Sequence, residues 1–191
     1  MNQLYPIFLK VKELNTLIVG GGNVALEKLH FLLKSSPEAQ VQMVAPFFRE
    51  ETIALVDKYG LKMSVQEYDA SFLENKHMVI ATTDDPEVNK RVHKDCKERK
   101  ILVNVADHPP LCDFYMGGIV TKGNVKIAIS TNGKSPTMAK RLRQFFEEVI
   151  PPDIHELTEN MNEYRKTLKG DFEEKVTVLN EFTKGFLSKK K

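Results

Sequence analysis

The chain has 191 residues, 41% of them apolar and 28% charged, with a formal net charge of +2. That length holds one substantial core with a smaller appendage; the low charge argues against a nucleic-acid binder, and no apolar run approaches the ~20 residues of a membrane-spanning helix. Two cysteines, Cys96 and Cys112, make no disulfide framework, and Lys10, Lys12 and Glu13 break any leader-like apolar run, so a cytoplasmic protein is expected.

Through the first two thirds, apolar runs alternate with helical patterns. The runs predict strands at 16–19, 41–44, 62–65, 78–81 and 101–105, the last suited to burial on both faces. Helices are predicted at 24–34, 49–59 and 86–99, the third opened by Asp84-Asp85-Pro86. This rhythm predicts an α/β fold, a parallel sheet with helices on both faces.

The rhythm stops at His108-Pro109-Pro110. Segments 117–122 and 125–130 flank Gly123-Asn124, a hairpin signal. Ser135-Pro136 then opens a helix that Pro151-Pro152 ends. Two further apolar stripes follow: Ile154, Leu157, Met161, Tyr164 and Leu168, then Phe172, Val176, Leu179, Phe182 and Phe186. They predict a helical hairpin that needs a surface to pack on. Lys189-Lys190-Lys191 reads as a solvated basic end. The expected domains are therefore 1–110, 111–150 and 151–191.

Chemistry begins at Thr16-Leu17-Ile18-Val19-Gly20-Gly21-Gly22-Asn23-Val24-Ala25. A strand ends in glycines and a helix starts at once, which aims free N–H groups at an anion. Gly20, Gly22 and Ala25 give G-x-G-x-x-A, a dinucleotide signature with alanine as its third small residue. The end of the second strand reads Val44-Ala45-Pro46-Phe47, without the usual ribose-binding acid. Backbone groups of Ala45, Pro46 and Phe47 can serve the adenosine; Arg49 fits either a 2′-phosphate or the start of a helix. The choice between NAD and NADP stays open on these residues.

Thr82 and Thr83 end the fourth strand, where ligands of open sheets lie, and also suit capping. Asp107 ends the fifth on the same rim; a partly buried carboxylate there could accept a proton, or the residue could simply form a turn. His108 is an alternative base. The five histidines are scattered without metal-ligand spacing, and no serine nucleophile elbow or P-loop lysine occurs. Lys122, Lys126, Lys134, Lys140, Arg141 and Arg143, with the helix start at Ser135, form a cationic group that suits an anionic substrate or plain solvation.

Several ordered blocks add to these signals. They are Tyr5-Pro6-Ile7-Phe8-Leu9, the glycine run, Val44-Ala45-Pro46, Ala81-Thr82-Thr83-Asp84-Asp85-Pro86 with Val88-Asn89, and Val103-Asn104-Val105-Ala106-Asp107. Leu111-Cys112-Asp113-Phe114, Ile127-Ala128-Ile129-Ser130-Thr131-Asn132-Gly133 and Ser135-Pro136 complete them. Over residues 1 to about 150 the chain resembles the precorrin-2 dehydrogenase family, the siroheme-synthase N-terminal type. The resemblance implies a Rossmann-like domain, a β-ribbon and helix dimerisation domain forming a homodimer, and a C-terminal helical domain. It implies NAD⁺-dependent oxidation of precorrin-2 to sirohydrochlorin, with ferrous iron insertion as a further activity of some members. Asp107 then matches the family's catalytic aspartate. Asn23, Val24, Pro46 and Phe47 match cofactor contacts, and Thr131, Lys134 and Ser135 fall at the substrate side. No methyltransferase domain follows residue 191, so the unfused form is expected. Three readings result: a dehydrogenase alone, a dehydrogenase that is also a ferrochelatase, and a non-catalytic NAD(H)-sensing module.

Overall fold

The glycine run leaves the central strand of a five-stranded parallel sheet. The strands are β1 (Asn15–Val19), β2 (Gln40–Ala45), β3 (Lys62–Val65), β4 (Met78–Ala81) and β5 (Leu102–Val105), in the order β3-β2-β1-β4-β5. The computed structural model describes residues 2 and 4–187; the three-lysine end lies outside the described residues. It divides into two compact units, Met1–Gly117 with Asn132–Lys134, and Gly118–Thr131 with Ser135–Lys191.

In the first unit, strand residues alternate between two cores because successive side chains of a strand point to opposite faces. Ile18, Met43 and Ile80 join one core, with Ala25, Leu29 and Leu33 of α1 (Asn23–Ser35) and Val56 of α2 (Glu50–Tyr59). Leu17, Val19, Val44, Val79 and Val103 join the other, with Val92 and Cys96 of α3 (Pro86–Glu98) and Leu73 of a 3-10 turn at Ala70–Leu73. The helices therefore cover both faces, as the alternation predicts. Cys96 packs in that second core, and burial pushes its thiol pKa up to about 12.

One expectation needs correction. β5 is an edge strand that starts at Leu102, and Leu102 is 42% exposed, so within the expected run 101–105 burial holds for Ile101, Val103, Asn104 and Val105 but not for Leu102. The free edge of β5 is met by the following loop, largely through side chains. The Asp113 carboxylate accepts from Val103 N at 3.1 Å while Asp113 N donates to the Val103 carbonyl at 2.8 Å. The Cys112 thiol accepts from Val105 N at 3.3 Å and donates to the Val105 carbonyl at 3.1 Å. Asn104 Nδ2 donates to the Phe114 carbonyl at 2.8 Å.

The second unit holds a hairpin of β6 (Gly118–Lys122) and β7 (Val125–Ile129), then α4 (Pro136–Val149), α5 (Ile154–Thr167) and α6 (Phe172–Leu187). Val120, Ile129 and Ile154 are its buried apolar residues. Asn124 in the turn donates to Glu159 of α5. Tyr164 of α5 meets Phe182 of α6, with ring centroids 5.4 Å apart. Met138, Phe145 and Val149 of α4 remain exposed.

Removing the Asp113 carboxylate leaves Val103 N without its partner in a buried strand. Asp113→Ala should lower unfolding stability by about 1–3 kcal/mol, measured by urea denaturation. Asp113→Asn, which keeps an acceptor, should lose less.

Candidate dinucleotide site

The order of the sheet reverses between β1 and β4, and the crevice at such a reversal is where open α/β sheets bind ligands. The glycine run sits there. Gly20 N donates to the Val44 carbonyl at 2.9 Å, tying the end of β1 to β2. On the other side, Thr82 N and Thr82 Oγ1 both donate to the Val19 carbonyl, at 2.8 and 2.9 Å. Gly20 has φ +129°, and a Cβ there would run into Thr82. Only glycine suits both the backbone and the space.

Gly21 and Gly22 have opposite surroundings. A Cβ on Gly21 would strike the Phe47 carbonyl oxygen, and Arg49 N donates to the Gly21 carbonyl at 3.2 Å. A Cβ on Gly22 would meet nothing within 4 Å. So Gly21 admits the chain's own backbone, while Gly22 leaves open space in front of α1.

The start of α1 differs from those of α3 and α4. Asp85 caps α3 by accepting from Glu87 N and Val88 N, and Ser135 caps α4 by accepting from Met138 N. The N-cap of α1 is Gly22, with no capping side chain and no acidic residue in the first turn. Its first N–H groups and the positive end of the helix dipole are thus left for an external anion. A dinucleotide pyrophosphate fits this end in both charge and space. The backbone N–H groups of Gly22, Asn23 and Val24 lie at this end, and the fully buried Ala25 lets α1 pack close to the sheet.

The remaining expected cofactor residues lie on the same rim. Ala45 is buried at the end of β2, whereas Pro46 and Phe47 are exposed, Phe47 at 70%. Thr83 is held by Asn89 of α3, a residue of the Val88-Asn89 block to which the sequence assigned no role. Asn89 Nδ2 donates to the Thr83 carbonyl at 2.8 Å, and its Oδ1 accepts from Thr83 Oγ1 at 2.8 Å. Asn89 is 5% exposed. Its placement one turn after Asp85-Pro86 was the available signal. The threonine hydroxyls thus act within the fold, fixing the rim.

Asp107 also stands on this rim, two residues beyond β5. The expectation of a partly buried carboxylate is corrected: Asp107 is exposed. The chain turns there with φ +60°, a left-handed conformation that Asp tolerates. The loop around it is pinned. Ala106 N donates to the Ala81 carbonyl at 2.9 Å and His108 N to the Val105 carbonyl at 3.2 Å. Cys112 Sγ donates to the Val105 carbonyl, and burial raises its pKa above the usual thiol range. His108 Nδ1 lies 3.1 Å from the Ala106 carbonyl.

In the second unit, Thr131 Oγ1 accepts from Ser135 N at 3.2 Å and donates to the Ser135 carbonyl at 3.0 Å. Together with the Ser135 cap this fixes the entry to α4. Arg143 pairs with Glu147 at 2.6 Å. Lys134 is exposed. Among the described residues no group of three or more His, Cys, Asp or Glu could hold a metal ion, and no helix is long and apolar enough to cross a membrane.

The sheet order, the glycine turn at its reversal and the uncapped α1 define a dinucleotide-binding protein of the Rossmann kind. The chain belongs to the putative NAD(P)-binding family, whose sequence model matches residues 7–118. The sirohaem biosynthesis protein central model matches residues 122–148. Siroheme synthase of Pseudoalteromonas atlantica is 38% identical over 170 residues, 89% of this chain and 36% of the relative. Siroheme synthase of Psychrobacter arcticus is 35% identical over 175 residues, 92% of this chain and 31% of the relative. The chain therefore spans about a third of the length of these relatives. Among solved structures, SirC, a precorrin-2 dehydrogenase, matches with a TM-score of 0.71 at 26% identity, covering 93% of this chain and 88% of that one.

The contrast between adjacent glycines gives a sharp expectation. Gly22→Ala should change unfolding stability by no more than about 0.5 kcal/mol, since its Cβ enters open space. It should weaken nucleotide binding by at least about tenfold in calorimetry, because the methyl stands where a phosphate must approach. Gly21→Ala should instead destabilise the fold itself.

Proposed function

We propose that the chain is an NAD-dependent dehydrogenase that oxidises precorrin-2 to sirohydrochlorin. The observation that carries this reading is the extent of the likeness to the solved precorrin-2 dehydrogenase. It runs over 93% of this chain and 88% of the other, so it takes in both units and not the nucleotide-binding unit alone. The resemblance to siroheme synthases over 89–92% of the chain supports the same substrate class.

In this reading Gly20, Gly22, Asn23 and Val24 hold the pyrophosphate of NAD. Ala45, Pro46 and Phe47 serve the adenosine, and Thr82 and Thr83 shape the nicotinamide side. NAD when bound supplies the hydride acceptor. Oxidation also releases a proton, and Asp107 is the group proposed to accept it. Its exposure and freedom from hydrogen-bonding partners among the described residues leave both carboxylate oxygens available. Thr131, Lys134 and Ser135 are proposed for the substrate's carboxylates, supported by the exposed ammonium of Lys134 and the helix start beside it. The ribbon and α4, within 111–150, are proposed to form a homodimer, supported by the exposed Met138, Phe145 and Val149. Residues 1–110 would be the nucleotide domain and 151–191 the helical one. The two free cysteines suit a cytoplasmic location.

Freshly made precorrin-2, mixed anaerobically with the protein and NAD⁺ without metal, tests the reading. A sirohydrochlorin spectrum matched by equimolar NADH is the expected result. No turnover despite measurable NAD(H) binding would overturn it in favour of a sensing module. The name of the longer relatives gives a second reading, iron insertion; ferrous iron added to the same cuvette gives siroheme only if that activity is present. Asp107→Ala should reduce kcat about 10²- to 10⁴-fold with NAD⁺ affinity unchanged. Turnover near the wild-type rate would remove Asp107 from the chemistry.

A further inference from the structure

Folds of this topology usually hold the adenosine ribose with an acid at the end of the second strand. Here that end is Ala45-Pro46-Phe47 and carries none. The next acids are Glu50 and Glu51, in the first turn of α2. They are not equivalent. Glu51 lines a groove of about 430 Å³ that runs along α1 and α2 and begins at Asn23, the first residue of α1. Glu50 does not line it. Glu51 thus stands beside the helix end that faces the pyrophosphate, although it comes six residues after β2.

Its carboxylate is held in place. Arg49 Nη2 lies 3.3 Å from Glu51 Oε1. The backbone N–H of Glu51 and then Arg49 keep the carboxyl below the usual carboxylate range, so it is charged at neutral pH. Arg49 is anchored in turn, since its backbone N donates to the Gly21 carbonyl at 3.2 Å. Arg49 Nε is buried, so the arginine stem is packed into the protein while its Nη2 reaches the acid.

We propose that Glu51, held by Arg49, is the carboxylate that reads the ribose 2′ position and selects the nucleotide without a 2′-phosphate. The inference rests on the dinucleotide reading above and adds which residue makes the selection. Glu51 accepts from the ribose hydroxyls and repels a phosphate at the same place. Arg49, Glu50 and Glu51 together carry a net −1, so the arginine is already neutralised and does not serve as a phosphate clamp.

The protein has no tryptophan, so bound NADH or NADPH can be followed by its own fluorescence, independently of turnover. Wild-type protein should bind NADH more tightly than NADPH. Glu51→Gln should narrow that ratio about tenfold, the size expected for removing one nearby charge at a solvent-exposed site. Glu51→Lys should narrow it further or reverse it. Thermal unfolding of each variant checks that the fold is intact, and this exposed first-turn position tolerates both residues. An unchanged ratio in both variants, with both nucleotides still bound, would overturn the role of Glu51 alone. Wild-type preference for NADPH would also overturn it, and would make Arg49 the reader. If wild-type protein bound neither nucleotide, the dinucleotide reading itself would fall and this proposal with it.

Discussion

The nucleotide-binding turn depends on a close approach of two pieces of backbone. The loop after β2 lies against the glycine run so tightly that the Phe47 carbonyl occupies the place of any side chain on Gly21. The hydrogen bond from Arg49 N to the Gly21 carbonyl closes the same contact. Much else follows from it. The approach sets where α2 begins, and so where Arg49 and Glu51 stand. It also braces the turn that leaves the first N–H groups of α1 uncapped. Helices α3 and α4 satisfy such groups with their own side chains; at α1 no side chain does.

The rim is built by the same economy on its other side. Thr82 and Thr83 sit where a cofactor's reactive ring is expected, yet their hydroxyls are spent within the protein, on Val19 and on Asn89. Asn89 is buried and makes all three of its side-chain hydrogen bonds to a single residue, Thr83. Such a clamp fixes the end of β4 relative to α3, and a fixed rim is what preorganised binding requires. The loop that carries Asp107 is tied back in the same way, by Ala106 N to the Ala81 carbonyl and His108 N to the Val105 carbonyl.

Most of this was legible in the sequence for a physical reason. Strands buried on both faces read as apolar runs, and Asp85-Pro86 and Ser135-Pro136 announce helices by capping chemistry that depends only on local residues. The glycine signature is equally local. What escaped was long-range. Nothing in the triplet Gly20-Gly21-Gly22 tells which glycine faces the protein and which faces the ligand, because that depends on Phe47. The exposure of Asp107 depends on a left-handed turn that Asp permits but does not dictate. The edge position of β5 explains the exposed Leu102, and edge position is a property of the whole sheet. Leu111-Cys112-Asp113-Phe114 was recognisable as a block, but its bonding to β5 required the fold.

That block has a consequence for how the molecule behaves in company. Edge strands expose a row of donors and acceptors to any passing chain, and sheets can grow by accepting one. Along β5 those groups are taken up by a carboxylate and a thiol in addition to the backbone N–H of Asp113. A side chain cannot template a further strand, so the sheet ends there. The loop that carries Asp107 is in this sense also a stopper. It keeps concentrated or partly unfolded copies from joining edge to edge, while leaving the opposite edge, β3, to its own short length of four residues.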